Sequence, residues 1–167
     1  PLYVSLLSSF INNRDTEYLD KLVENFGSRI DPAHKESFIS YTFMQKMFLE
    51  KRFDDALRYH SMVNYDHSLI RINAKILLIQ LYYEAGDTEE LLSLLDAAKK
   101  YFSAMKNYSR HKIEVILRFL KLVKKLAKIK AAGAGELESL KNEINSETEI
   151  QGKAWVREKI AELEAVI

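Results

Sequence analysis

Apolar residues recur at three- and four-residue steps along almost the whole chain, the spacing that lines one face of an α-helix. Leu19, Leu22, Val23 and Phe26 form the first clear stripe, with Gly27 placed as a C-terminal stop. Asp31-Pro32 predicts the next start, because the carboxylate can accept from exposed amides while proline gives up no needed donor. From Phe38 to Leu49 the stripe widens through Ile39, Phe43 and Met47, so that helix is expected to have neighbours on two sides. The run from Ile76 to Ile79 is no strand, since its spacing continues through Leu81, Tyr82 and Tyr83 without a turn. Ser109 is placed to cap a helix reaching Lys130, with Ile113, Ile116, Leu117, Leu120, Val123 and Ala127 as its buried face. The small residues Ala131-Ala132-Gly133-Ala134-Gly135 then permit a turn. Beyond them Glu136, Glu138 and Glu143 precede a last stripe of Trp155, Ile160 and Leu163, extended by Ile167.

Two stretches align at a separation of 34 residues: Glu50-Lys51-Arg52-Phe53-Asp54-Asp55-Ala56-Leu57 and Glu84-Ala85-Gly86-Asp87-Thr88-Glu89-Glu90-Leu91. Each follows a long apolar helix and precedes a second one. Phe48 and Leu49 fall opposite Tyr82 and Tyr83, and Met44 falls opposite Leu78. Asp15-Thr16-Glu17 carries the signal of Asp87-Thr88-Glu89 at an interval of 72 residues. Asp87 is expected to cap the helix beginning near Thr88, and Gly86 to relieve the backbone at that corner. A helix, a tight connection and a second helix fill such a period, and each hairpin needs a neighbour to cover its apolar surface.

These residues resemble the tetratricopeptide repeat family in a degenerate form. Phe53, Ala56 and Leu57 occupy the family's aromatic, small and apolar positions at the start of the second helix, best matched between Phe38 and Ala98. The second unit departs from them, with Asp87 for the aromatic and Glu90 for the small residue, and Met44 and Leu78 stand where a small residue is usual. The resemblance implies a right-handed stack of antiparallel hairpins that binds a protein or peptide. It also implies a groove on the first helices of the hairpins, for which Tyr41, Gln45, Lys75, Gln80 and Tyr82 are the candidates. The basic helix, the glycine-containing break and Ala154-Trp155-Val156-Arg157-Glu158-Lys159-Ile160 resemble the C-terminal parts of uncharacterised helical-repeat proteins of Bacteroidetes-like bacteria.

Composition agrees with helices. Among 167 residues 47% are apolar, enough for a core, while 5 Gly and 2 Pro are too few for the turns of an all-β sandwich. Apolar runs meet a charge before they could cross a hydrocarbon core, so no membrane span is expected. Leu2, Val4, Leu6, Leu7, Phe10 and Ile11 open in mid-pattern, as expected of a segment from a longer chain. The absence of Cys excludes disulfides and thiolate chemistry but leaves the compartment open.

The net charge of +1 hides a segregation. Residues 1–98 hold 10 basic and 15 acidic side chains, residues 99–130 hold 11 basic side chains and one acidic, Glu114, and residues 131–167 hold 4 and 8. At 100° per residue Arg118, Lys121, Lys124, Lys125 and Lys128 fall within an arc of about 120°. That face could contact phosphates, dock the acidic terminal segment, or simply solvate the helix. Arginine, the bidentate base reader, is scarce there, and Tyr101, Phe102 and Tyr108 suit a core or groove better than base stacking.

No reaction can be nominated. His34, His60, His67 and His111 form no HExxH, and no phosphate-binding glycine loop occurs. Asp54-Asp55 and Glu89-Glu90 are adjacent pairs that diverge by about 100° on a helix, so they read as helix-start charges. Ser8-Ser9 lacks an identifiable activating His. The expectation is an all-α chain of about eight or nine helices, with hairpins over 2–26, 33–64 and 67–106. Residues 1–132 form the repeat domain, and a helical pair at 133–167 docks on it. The expected function is noncovalent protein recognition or scaffolding within a larger chain, with no enzyme activity, cofactor or metal. The alternatives are nucleic-acid association through the basic helix 109–130 and a structural domain packing on a preceding region.

Overall fold

Three helix starts follow the capping chemistry expected of an aspartate N-cap. In the computed structural model, which describes residues 2–64, 68–133, 135–147 and 149–166, Asp15 accepts from the Tyr18 amide at 3.4 Å and Asp87 from the Glu90 amide at 3.1 Å. Asp31 accepts from the Ala33 amide at 2.9 Å ahead of Pro32. The described residues form nine α-helices and no strand: α1 (Leu2–Asn12), α2 (Thr16–Phe26), α3 (Pro32–Leu49), α4 (Phe53–Ser61), α5 (Ser68–Ala85), α6 (Thr88–Ser103), α7 (Arg110–Ala132), α8 (Leu137–Ser146) and α9 (Lys153–Val166). The chain is therefore all-α, and none of these helices is long and apolar enough to cross a membrane.

Two caps work differently from expectation. Gly27 follows α2 in a right-handed conformation (φ −57°) and opens a short 3-10 turn, Gly27–Arg29, so the stop does not use glycine's freedom. Ser109 precedes α7, but its hydroxyl makes no capping hydrogen bond. His67, Ala134 and Ile167 lie outside the described residues.

Three corners share one backbone solution. Arg14 (φ 55°), Lys51 (φ 59°) and Gly86 (φ 79°) are left-handed, and each is followed by the N-cap of the next helix, Asp15, Arg52 and Asp87. At the first two, the amides of Asp15 and Arg52 reach back five residues to the carbonyls of Phe10 and Met47, at 2.9 and 2.8 Å. The amides of Arg14 and Lys51 reach back three, each at about 3 Å to Ile11 and Phe48. This pair of bonds is the Schellman motif, which satisfies carbonyls a helix end would otherwise leave open.

The chain forms two compact units, Pro1–Ala85 and Gly86–Ile167. In the first, α3 packs against α1, α2, α4 and α5. Its core includes Leu19, Leu22, Met44, Ala56, Leu77 and Leu81, all nearly inaccessible to solvent. Tyr3 ties α1 to α3: its ring meets Phe38 edge-on at 5.8 Å and its hydroxyl bonds Thr42 Oγ1 at 2.8 Å. The buried Ser37 hydroxyl accepts from the Asn64 amide at 2.7 Å and donates to the Asn64 carbonyl at 3.1 Å, fastening the chain after α4 to α3.

The second unit is organised around α7, which packs on α6, α8 and α9. Ile116, Leu120, Val123 and Ala127 are buried as expected, but so are Phe119, Leu122, Leu126 and Ile129. The second face is covered from the C-terminal pair by Leu137, Leu140, Ile144, Trp155, Val156 and Ile160, all buried. The Trp155 ring lies 6.1 Å from that of Phe119. Gly133 ends α7 at φ 91°.

Candidate functional site

The five residues assigned to a groove on the first helices are divided between core and surface. Tyr41 and Gln45, one helical turn apart on α3, are both buried, and Gln45 Nε2 donates to the Tyr41 hydroxyl at 2.6 Å. Burial pushes the Tyr41 phenol well above its ordinary range. Gln80 on α5 is also buried, whereas Lys75 and Tyr82 are half-buried. Three of the five therefore contribute to the core instead of an open wall. Burial, with Lys75 adding repulsion, holds the His60 imidazole below its ordinary value.

The basic face of α7 is largely spoken for by acids of its own unit. Arg118 meets the Glu147 carboxylate at 3.1 Å and donates to the Glu149 carbonyl at 2.9 Å. Lys121 donates to Glu143 at 2.9 Å, and Lys125 grips the second oxygen of the same carboxylate. The hydrogen bond from Lys125 first, then that from Lys121, hold the Glu143 carboxyl below its ordinary range despite partial burial. His111 lies 2.6 Å from Glu149. On the other flank Lys124 donates to Asp96 of α6 at 2.8 Å, which, with smaller help from Lys99 and Lys100, lowers the Asp96 carboxyl. Lys128 is exposed, with no ion-pair partner among the described residues. Of the acids expected to approach α7, Glu143 does so; Glu138 pairs with Lys141 at 3.5 Å and Glu136 is exposed.

Between α6 and α7 the surface opens into a concavity that the periodicity of either helix alone does not reveal. One cavity of about 260 Å³ has Leu95, Leu117 and Leu120 as apolar lining and Asp96, Lys99, Lys121 and Lys124 as charged lining. A second, of about 450 Å³, adds Met105, Tyr108 and Ile113 with Lys106, Arg110 and Glu114, and shares Leu117 with the first. Ile113 and Leu117, expected inside the core, are only half-buried because they line this groove. Lys112 extends over the Tyr108 ring at 5.8 Å from its centre. Among the described residues no group of three or more His, Asp or Glu could hold a metal ion. Compared with protein-family models, curated proteins and solved structures, the chain matches none.

Proposed function

We propose that this chain is a noncovalent protein- or peptide-recognition module built from tetratricopeptide-like helical hairpins. The contacts of α3 with both α1 and α5 suit a succession of hairpins whose first helices neighbour one another. The recurring left-handed corner at Arg14, Lys51 and Gly86 suits the same scheme. The observation that carries the functional reading is the α6–α7 groove, where half-buried apolar side chains sit below a charged rim, the composition of a helix- or peptide-binding surface. Nucleic-acid association has less support, because most of the basic α7 face is already neutralised within its own unit.

The test is selection of binders from a random peptide display library, with each selected peptide mapped on the folded chain by amide chemical-shift changes. Saturable binders that shift a contiguous set of residues support recognition. A library that yields no saturable binder at any surface rejects it.

A further inference from the structure

The α6–α7 groove has a counterpart inside the molecule that tells what fits it. On the opposite flank, α7 is covered by α8, an amphipathic helix that buries Leu137, Leu140 and Ile144. Acids from α8 and the segment after it, Glu143 and Glu147, meet Arg118, Lys121 and Lys125. The groove flank repeats that chemistry with nothing of this unit filling it. Ile113 and Leu117, both half-buried, stand at i and i+4 with the buried Leu120 at i+7 beneath them, the spacing at which a docked helix is read. Five cations line it, but Lys121 pairs with Glu143, Lys124 with Asp96 and Arg110 with Glu114, which leaves Lys99 and Lys106 as the positive excess of the rim. Lys99 and Lys106 are exposed, and no carboxylate among the described residues lies within ion-pair distance of either.

From this surface we infer that the groove receives an acidic amphipathic helix of a partner protein, with its apolar side chains on Ile113 and Leu117 and its carboxylates toward Lys99 and Lys106. This rests on the recognition reading above and names the chemistry of its partner. Arg110 to Lys124 spans about 21 Å at 1.5 Å per residue, room for a partner helix of about 14 residues. An apolar floor and two rim carboxylates are a poor bed for a phosphate backbone, which needs uninterrupted positive charge and gains nothing from Leu117. For an acidic helix the same floor supplies affinity, while the rim lysines steer encounter and fix orientation.

The experiment uses the whole chain and a fluorescein-labelled synthetic peptide of about 14 residues, with leucines at i, i+4 and i+7 and glutamate at most other positions. Anisotropy is read at low and physiological salt. Three controls accompany it: the same peptide with lysine for glutamate, the same composition with the leucines scattered around the helix, and a single-stranded RNA oligomer. The expected result is saturable binding of the acidic amphipathic peptide, at least about tenfold weaker binding of every control, and a comparable loss in the double variant Lys99→Glu, Lys106→Glu. Leu117→Gln, checked for intact helix content by circular dichroism, should weaken binding at either salt concentration. Equal binding of the scattered peptide, indifference to the lysine reversals, or tighter RNA binding that depends on the same lysines would each overturn the inference. Display-library binders that map to another surface would overturn it too while leaving protein recognition standing, whereas an empty library would remove both.

Discussion

Arg14 and Lys51 carry full side chains at backbone positions that favour none. A left-handed residue with a Cβ costs about 1–2 kcal/mol relative to the right-handed alternative, a strain glycine escapes. Both are held there by the two amide bonds of the Schellman motif, and at the third corner the left-handed residue is a glycine. Lys51→Gly should therefore raise the unfolding free energy by about 0.5–1 kcal/mol after subtracting glycine's extra unfolded-state entropy. Gly86→Ala should lower it by about 0.5–1 kcal/mol, the same strain less the same unfolded-state entropy. A Cβ at Gly86 would meet no heavy atom within 4 Å, so that loss would come from backbone strain and not from crowding. Urea titrations of the two variants check the pair, and a Lys51→Gly protein no more stable than the parent would refute the strain argument. Gly86 was readable as a corner in advance because glycine announces it. Arg14 and Lys51 were not, since nothing in an arginine or lysine signals a left-handed backbone.

Among the elements, α7 decides the second unit. Its fastening to α8 includes a carboxylate, Glu143, whose pKa lies below the ordinary value of 4.5 because it is hydrogen-bonded to two ammonium groups. The folded state holds that group's charge more tightly than the unfolded chain does. Its stabilisation is thus complete above the ordinary carboxylate pKa and is lost as pH falls below about 4.5 through the depressed folded value. Glu143→Gln is expected to lower stability at pH 7 by up to about 1 kcal/mol and to flatten the acid limb of a plot of melting temperature against pH. An unchanged acid limb would mean that the pairing contributes nothing. The start of α3 was legible because Asp31-Pro32 states its chemistry locally, while Ser109 matched the same rule without making the bond. The second buried face of α7 was hidden for a different reason. Phe119, Leu122, Leu126 and Ile129 interleave with Arg118, Lys121 and Lys125, whose long stems can run along apolar surface with the charge at the rim. A one-sided helical stripe was the simpler reading, and the groove, made jointly by α6 and α7, has no signature in either segment by itself.

At the level of the whole molecule, the charge blocks visible along the sequence become internal pairings, and a basic tract that suggested phosphate contacts becomes in large part a seat for the chain's own acids. Deleting residues 136–167 should expose Phe119, Leu122 and Leu126 together with Arg118, Lys121 and Lys125. The expected outcome is a lower melting temperature, increased dye binding at the exposed apolar face, and new salt-sensitive association with nucleic acid. A truncated chain with an unchanged melting temperature would reject the docking of the terminal pair. The role of α7 also has a consequence for synthesis. Its second face is closed only with side chains as late as Trp155 and Ile160, 23 and 28 residues after the helix itself ends. At translation speeds of about 5–20 residues per second, that leaves the nascent chain with a greasy stripe uncovered for roughly 1–6 s. Throughout that interval a chaperone can hold it, or a neighbouring ribosome's product can stick to it.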